Sequence, residues 1–336
     1  MDWSRGTIIG RGSYAVVSSA TSDSGDIFAV KSADLSLSHS LQKEQRILSV
    51  LSHPYIVGYI GHDITMENHE LVYNLLMELL PGGSLADEIL RRGRLEESVI
   101  GYYTRQILEG LNYIHSIGIS HCDIKGENIL IGEDGVKISD FGCAKLGQEE
   151  VDQPIAGTPM FMAPETACGK EQGFPSDIWA LGCTIIEMAT GRPPWLNMTD
   201  PVSVLYKIAF SGELPVIPDY LSCKARDFVS KCLSRDPKER WTATELLRHP
   251  FMDVEFGKVS VNVKLPWNSP TSILDEGVWS GTVEEEEEVS ENLAGECSSS
   301  PADRIRRLCL FSRQPPPPPD WRREESWFII RDHNST

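Results

Sequence analysis

The sequence predicts an α+β protein with two lobes, a small, mainly-β lobe first and a larger, mainly-α lobe after it. Residues 7–34 consist of short apolar runs separated by glycine-containing turns, the pattern of antiparallel strands joined by hairpins. Residues 97–116 carry apolar side chains at helical spacing, which predicts a long amphipathic helix. Residues 177–195 are apolar almost all round, which is typical of a helix buried at the centre of a domain.

Changes in composition divide the chain into three expected parts. An apolar run ends at Pro81-Gly82-Gly83, so we expect the small lobe at 1–80 and the large lobe at 81–255. Residues 256–336 are polar, with an acidic run and a polyproline stretch, and we expect a mostly disordered tail there.

The bulk composition excludes several classes of protein. The chain has 336 residues, of which 40% are hydrophobic, and this is enough for a sizeable core. Its net charge of −18 repels phosphate backbones and anionic lipid, so we expect neither nucleic acid nor a membrane as a partner. The first residues do not resemble a signal peptide, and no apolar run approaches the length of a membrane span. With eight scattered cysteines that suit reduced thiols, these features predict a soluble cytoplasmic or nuclear protein.

A glycine-rich hairpin opens the small lobe. Gly10 and Gly12 stand between two short strands, and the backbone N–H groups of such a turn can bind a triphosphate. Taken alone, this motif fits an ordinary turn equally well.

Lys31 ends an apolar run, and the helix predicted over 40–51 supplies a group that can hold it. Leu41 and Leu48 lie on the apolar stripe of that helix, and Glu44 lies inside the stripe. An unpaired buried carboxylate is costly, so we predict an ion pair between Lys31 and Glu44. A lysine extended into solvent is the alternative.

Residues 75–80 form the strand at which the two lobes are expected to meet. The backbone of Glu78–Leu80 would bond an adenine base and Met77 would close the back of its pocket, whereas an ordinary core strand is the alternative. The residues that we assign to an ATP pocket are Ile9, Gly10, Arg11, Gly12, Ser13, Tyr14, Ala15, Val16, Val17, Ala29, Lys31, Met77, Glu78 and Leu80.

Residues 121–142 carry the candidate catalytic groups. Asp123 can accept the proton of an attacking hydroxyl, and Asn128 and Asp140 can together bind magnesium. Phosphoryl transfer from ATP needs this set, so the sequence predicts ATP and Mg²⁺ as cofactors.

The order of these motifs resembles that of the protein kinases, and their local sequence resembles plant MAP kinase kinase kinases of the MEKK-like group. This resemblance implies the bilobal kinase fold and phosphorylation of MAP kinase kinases on serine or threonine of their activation loops, often in stress or hormone signalling. The stretches that carry it are Gly10-Arg11-Gly12-Ser13, Pro81-Gly82-Gly83-Ser84-Leu85, His121-Cys122-Asp123-Ile124-Lys125-Gly126-x-Asn128, Asp140-Phe141-Gly142-Cys143-Ala144-Lys145 and Gly157–Glu165.

The resemblance also implies roles for individual residues. Asp123 would be the catalytic base, Lys125 would steady the γ-phosphate, and Lys31, held by Glu44, would bind the α- and β-phosphates. Thr158 would belong to the pocket for the substrate residue after the phosphorylated one (the P+1 pocket), and with Lys125 it favours serine or threonine over tyrosine.

The segment 143–157 departs from the family pattern, because it contains no serine, threonine or tyrosine. Cys122 also stands where most members carry the arginine that pairs with a phosphate in this segment. We therefore expect the site to order without phosphorylation of the segment, with control by abundance, the tail or a partner. Phosphorylation of Thr158 is the alternative.

Three structural contacts are predicted in the large lobe. Ser84 would cap a short helix, and Asp177 would cap the central helix and anchor the catalytic loop. Arg240 is the expected partner of Glu165.

The tail carries one candidate docking segment at 304–311, where basic residues precede Leu308 and Leu310. It loosely matches a MAP kinase docking peptide, and a short amphipathic helix is at least as good an interpretation.

Two other functions compete with the main one. They are a pseudokinase scaffold, prompted by Ala15 and Cys122, and a serine/threonine kinase outside the MAP kinase cascade.

Overall fold

A computed structural model describes residues 2–12, 15–147, 155–196, 198 and 200–253 of the chain. Ser13 and Tyr14 of the expected ATP pocket lie outside these described residues. So do the expected tail at 256–336 and its candidate docking segment at 304–311.

The small lobe is built on one antiparallel sheet of five strands, arranged in the order β1-β2-β3-β5-β4. A single helix, α1, crosses the sheet and presents Leu41, Leu48 and Glu44 as buried side chains. The strands are β1 (Trp3–Arg11), β2 (Val16–Ser22), β3 (Ile27–Asp34), β4 (Tyr59–Glu67) and β5 (Glu70–Met77), and the helix is α1 (His39–Leu48).

Strand β1 begins four residues earlier than the apolar run from Thr7 indicates. The Trp3 ring meets the Phe28 ring at 6.2 Å between centroids, and the Trp3 indole donates to Asp63 Oδ2 at 3.3 Å. These long-range contacts extend the strand through a polar stretch that shows no alternating pattern.

The large lobe consists mainly of helices, together with two short antiparallel strand pairs. Helix α3 packs on α5 and on β8, which places the catalytic loop between the central helices and the small lobe. The elements are α2 (Leu85–Arg92), α3 (Glu97–Ser116), β6 (Ile119–Ser120), β7 (Ile129–Gly132), β8 (Gly135–Ile138), β9 (Lys145–Leu146), α4 (Pro164–Ala167), α5 (Phe174–Thr190), α6 (Pro201–Phe210), α7 (Cys223–Cys232) and α8 (Ala243–Leu246). In the part of the chain that the structure describes, no helix combines the length and the apolarity that a membrane span requires.

The α+β class and the long helix at 97–116 are confirmed, and so is the cap by Ser84, whose hydroxyl accepts from the Asp87 N–H. The central helix α5 is shorter than predicted. It ends at Thr190, where Gly191 adopts a left-handed conformation with φ +70° and Pro193 and Pro194 follow.

The prediction that Asp177 caps α5 is wrong, because the helix starts at Phe174 with Gly173 as its N-cap residue. Pro175 fits the first turn, where a missing N–H costs nothing. Asp177 therefore lies inside the first turn, and its carboxylate is available for contacts with another segment.

A buried ion pair links α4 to the chain before α8. Arg240 Nη1 and Nη2 donate to the two oxygens of Glu165 at 2.7 and 2.9 Å, which confirms the predicted pairing. Arg240 also donates to the backbone oxygens of Ser234 and Pro175 at 2.9 and 2.6 Å. The arginine side chain is fully buried, so these partners must compensate for the water that its charge has lost.

We expect Arg240→Met to lower the free energy of unfolding by about 3–5 kcal/mol, because it leaves the Glu165 carboxylate buried without its cation. Urea denaturation monitored by tryptophan fluorescence measures this difference. Lys207→Met is the matched control, since Lys207 pairs with the largely exposed Glu213 and its loss should cost less than about 1 kcal/mol. Equal losses in the two variants would contradict the assignment.

Candidate active site

Lys31 lies at the centre of a three-residue charge cluster between the lobes. Its Nζ is 2.8 Å from Glu44 Oε2 and 3.0 Å from Asp140 Oδ1. The other oxygen of Glu44 accepts from the Phe141 N–H at 3.3 Å. The predicted pair of Lys31 and Glu44 is confirmed, and the structure adds that the same lysine holds Asp140 as well.

Within this cluster, Lys31 and Asp140 stabilise each other's charge. Burial is the largest single influence on Asp140 and raises its pKa. The charge of Lys31 and the hydrogen bonds from Lys31 and the Gly142 N–H together outweigh burial and lower the pKa to about 2. Burial lowers the pKa of Lys31, and the two carboxylates together raise it well above its ordinary value. Asp140 is therefore an anion and Lys31 a cation throughout the physiological range of pH.

The backbone at Asp140 adopts a left-handed conformation with φ +60°, which is uncommon for a residue with a side chain. Its Oδ1 accepts from the Gly142 N–H at 3.2 Å, and this local bond compensates part of the strain. Such strain is often found where a side chain must point in one direction for function.

Asp123 is held by four donors. Its Oδ1 accepts from the backbone N–H and the hydroxyl of Thr158, both at 2.9 Å. Its Oδ2 accepts from Asn128 Nδ2 at 2.9 Å and lies 3.3 Å from Lys125 Nζ. Lys125 in turn donates to the Thr158 hydroxyl at 2.7 Å. These bonds hold the Asp123 carboxylate in one orientation and keep the Lys125 ammonium beside it.

The residues expected to bind a metal fit a hard cation. The amide nitrogen of Asn128 is used by Asp123, through bonds of 2.8 Å to its carbonyl and 2.9 Å to its carboxylate, so the amide oxygen is the atom left for a metal. Asp140 supplies an anionic oxygen. Among the described residues, no cluster of three or more histidine, cysteine, aspartate or glutamate side chains could hold a metal alone. A cation bound by two protein oxygens would take its remaining ligands from water and phosphate, as Mg²⁺ usually does.

The strand register brings the expected pocket residues to one edge of the small sheet. Val17 is the partner of Lys31 across β2 and β3, and Ala29 is the partner of Met77 across β3 and β5. Ile9, Gly10 and Arg11 lie in β1, Val16 and Val17 in β2, Ala29 and Lys31 in β3, and Met77 at the end of β5, with Gly12 and Ala15 beside the hairpin turn and Glu78 and Leu80 after β5. Their assignment to ATP stays a prediction.

Glu78 has contacts that the sequence did not indicate. Its N–H donates to the Gly58 carbonyl at 2.8 Å, so this group is not available to a base. Its carboxylate accepts from Lys137 Nζ at 2.6 and 2.7 Å and from the Gly58 N–H at 3.0 Å. The side chain of Glu78 therefore joins the lobe connection to strand β8.

Two contacts of the catalytic loop involve residues outside the predicted site. The Asp177 carboxylate accepts from the N–H groups of His121 and Cys122 at 2.8 and 2.7 Å, which confirms the predicted anchoring. Gln172, which the sequence did not single out, donates to the carbonyls of Cys122 and Ala156 at 3.1 and 2.8 Å. It lies in a polar stretch without a recognisable motif.

The geometry described above is that of a site for phosphoryl transfer, and comparisons with known proteins agree with it. Residues 3–252 match the family model described as "Protein kinase domain". The chain therefore belongs to the protein kinase family, as an ATP-dependent serine/threonine kinase.

Similar curated proteins identify the branch of the family. Mitogen-activated protein kinase kinase kinase 18 of Arabidopsis thaliana is 50% identical over 303 residues, 87% of this chain and 88% of that protein. Mitogen-activated protein kinase kinase kinase 17 of the same plant is 50% identical over 85% of this chain and 79% of its own length. Mitogen-activated protein kinase kinase kinase A of Dictyostelium discoideum is 41% identical over 81% of this chain, but over 30% of its own length. The resemblance to MAP kinase kinase kinases is confirmed.

Glu187, an acid beside the catalytic loop, has a raised pKa. Glu187 projects from α5 so close to Gly126 that a Cβ atom at Gly126 would be 2.9 Å from its Oε2. Burial, and next the negative charge of Glu127, raise the pKa of Glu187 to about 8, although the Gly126 peptide and Lys125 oppose them. The folded protein therefore holds this proton at pH values where an unfolded glutamate, with a pKa of about 4.3, has lost it.

This difference predicts a dependence of stability on pH. Because the folded state binds more protons than the unfolded state between about pH 4.5 and pH 8, the contribution of Glu187 to stability falls as the pH rises. We expect Glu187→Gln, which cannot titrate, to gain stability relative to wild type over that range. Chemical denaturation at several pH values measures the difference, with exposed Glu133→Gln as the control. A constant difference between Glu187→Gln and wild type would contradict the raised pKa.

Proposed function

We propose that this kinase transfers the γ-phosphate of ATP, with Mg²⁺, to activation-loop serine or threonine of MAP kinase kinases. It would thereby act at the top of a MAP kinase cascade in stress or hormone signalling. The observation that carries the proposal is that two pairs of the predicted site residues adjoin, Lys31 with Asp140 at 3.0 Å and Asp123 with Asn128 at 2.9 Å. The pairs are linked because the N–H of Ser139, the residue before Asp140, donates to the Asn128 carbonyl at 2.9 Å. The names of the relatives support the substrate class, since a MAP kinase kinase kinase acts on MAP kinase kinases.

In this proposal Asp123 orients the substrate hydroxyl and accepts its proton. The hydroxyl oxygen forms a bond to the γ-phosphorus as the bond from that phosphorus to the bridging oxygen of ADP breaks. The four donors around the Asp123 carboxylate fix its direction before substrate binds, which removes a reorganisation cost from the reaction.

The neighbouring cations would stabilise the charge of the phosphates. Lys31 would bind the α- and β-phosphates while Glu44 keeps it in place, and Lys125 would steady the γ-phosphate. Asn128 and Asp140 would hold the metal ion, which supplies electrostatic stabilisation of the transferred group when bound. Glu44 holds Lys31 by a direct bond of 2.8 Å, so the lysine is preorganised without nucleotide.

The pseudokinase alternative has little support in the site. Ala15 and Cys122, the two departures that prompted it, leave the contacts of Lys31 and Asp123 intact. We propose the lobe boundaries at 80/81 and 255/256, a P+1 role for Thr158, and a cytoplasmic or nuclear location as working assignments.

We expect Asp123→Asn to reduce phosphate transfer by roughly 10²–10⁴-fold, the usual contribution of a positioned base. Bacterially produced enzyme with radiolabelled ATP and a panel of MAP kinase kinases measures it, and mass spectrometry maps the acceptor residues. Asp134→Asn, in the exposed turn between β7 and β8, is the control and should retain wild-type activity.

Two outcomes would count against the proposal in different ways. Equal transfer by wild type and Asp123→Asn would remove Asp123 from the role of base. Transfer to a general acceptor protein but to no MAP kinase kinase would place the kinase outside the MAP kinase cascade. MAP kinase kinases with alanine at their activation-loop acceptors should lose the label if the proposed sites are right.

A further inference from the structure

Gln172 connects two segments of the active site that are far apart in the chain. Its Nε2 donates to the carbonyl of Cys122 in the catalytic loop at 3.1 Å and to the carbonyl of Ala156 at 2.8 Å. Its Oε1 accepts from the Ala156 N–H at 3.3 Å. Gln172 is 8% exposed, so water competes little for these groups.

The segment 155–158 lies directly on the catalytic loop at this point. Gly157 has φ +108°, and a Cβ atom added there would be 2.5 Å from the Cys122 carbonyl oxygen. Only glycine allows the two backbones to come so close. The peptide groups on both sides of Cys122 are thereby fixed, the N–H by Asp177 at 2.7 Å and the carbonyl by Gln172.

The same segment delivers Thr158 to the catalytic groups. Two residues after Ala156, Thr158 donates to Asp123 through its N–H and its hydroxyl and accepts from Lys125. A shift of 155–158 would break these three bonds together. The contacts of Gln172 therefore control where Thr158 lies against Asp123.

The sequence just before Gly157 offers no acceptor for a phosphate that could order the segment. Residues 143–157 contain no hydroxyl side chain that could carry a phosphate. Burial, together with the negative charge of Asp177, raises the pKa of the Cys122 thiol to about 12, so this position is neutral. A phosphate on Thr158 would stand against the Asp123 carboxylate, because the hydroxyl is 2.9 Å from that carboxylate.

We propose that Gln172 is a positioning residue that holds segment 155–158 on the catalytic loop. Through these neutral hydrogen bonds it would give the kinase an ordered acceptor site without phosphorylation of the segment before Gly157. The inference rests on the proposed roles of Asp123 and Lys125, and it concerns the acceptor side of the site only. The Lys31 cluster, which would bind ATP, has no contact with Gln172 among the hydrogen bonds of the described residues.

The test compares wild type with Gln172→Met, which keeps the length of the side chain and removes its hydrogen bonds. We expect kcat/KM for a general acceptor protein such as casein to fall roughly 10- to 100-fold, as for a small displacement of an acceptor site. The KM for ATP and the affinity for a fluorescent ATP analogue should stay within about twofold of wild type. Exposed Glu171→Gln is the neighbouring control.

Two further variants keep the proposal falsifiable if Gln172→Met folds poorly. Gly157→Ala displaces the same segment without changing Gln172. It should likewise lower kcat/KM for the acceptor protein and leave the KM for ATP nearly unchanged. Gln172→Glu places a carboxylate against two carbonyl oxygens and regains a donor only when protonated. Its activity relative to wild type should therefore rise as the pH falls from about 8 to about 6.

Each alternative result decides against the proposal. Wild-type kcat/KM in Gln172→Met would overturn it, and so would equal losses of ATP affinity and acceptor phosphorylation, which indicate a general structural role. A large loss of wild-type activity after phosphatase treatment would show that ordering depends on a phosphate. Because casein serves as the acceptor, failure of the MAP kinase kinase assignment would leave this test unaffected.

Discussion

The active site depends on one buried carboxylate, that of Asp177 in the first turn of α5. Its oxygens accept from the N–H groups of His121 and Cys122 at 2.8 and 2.7 Å, and Nε2 of His115 lies 2.8 Å from Oδ2. A charge that is 1% exposed is stable only with such partners, and the positive end of the α5 dipole adds to them. The start of the catalytic loop is thereby attached to α5, a helix that is buried along most of its length. The positions of Asp123 and of the residues after it therefore depend on this attachment.

The second organising feature is that one lysine is shared by two carboxylates on different segments. Glu44 comes from a helix of the small lobe, whereas Asp140 comes from the loop after β8 in the large lobe. Lys31 joins them, so the sheet, the helix and the loop that carries Asp140 are held together before any nucleotide enters. The backbone strain at Asp140 is tolerated because the cluster leaves that residue little freedom.

The sequence was sufficient for contacts that follow from a local conflict. Glu44 lies among leucines on a helical face, and this mismatch alone predicts a cation opposite it. Arg240 is also the expected partner of Glu165, and the structure confirms this pair. The exact start of α5 was missed because Gly173 is an N-cap without a side chain, whereas Asp177 has the chemistry of a cap.

Gln172 could not have been predicted for a different reason. Its partners are three backbone atoms of Cys122 and Ala156, and backbone atoms carry no sequence signal. Glu78 could not have been predicted either, because its carboxylate meets Lys137, a lysine 59 residues away on a strand with no charge pattern. Contacts of this kind become visible only when the topology is known.

The loop between α1 and β4 pairs with β8, and this has a mechanical consequence. The Val57 N–H donates to the Ile138 carbonyl at 3.0 Å, and the Ile138 N–H donates to the Tyr55 carbonyl at 2.9 Å. Together with the bonds from Lys137 to Glu78, they attach the α1–β4 loop and the connection between the lobes to one short hairpin of the large lobe. A displacement of this hairpin would therefore be transmitted to both segments at once.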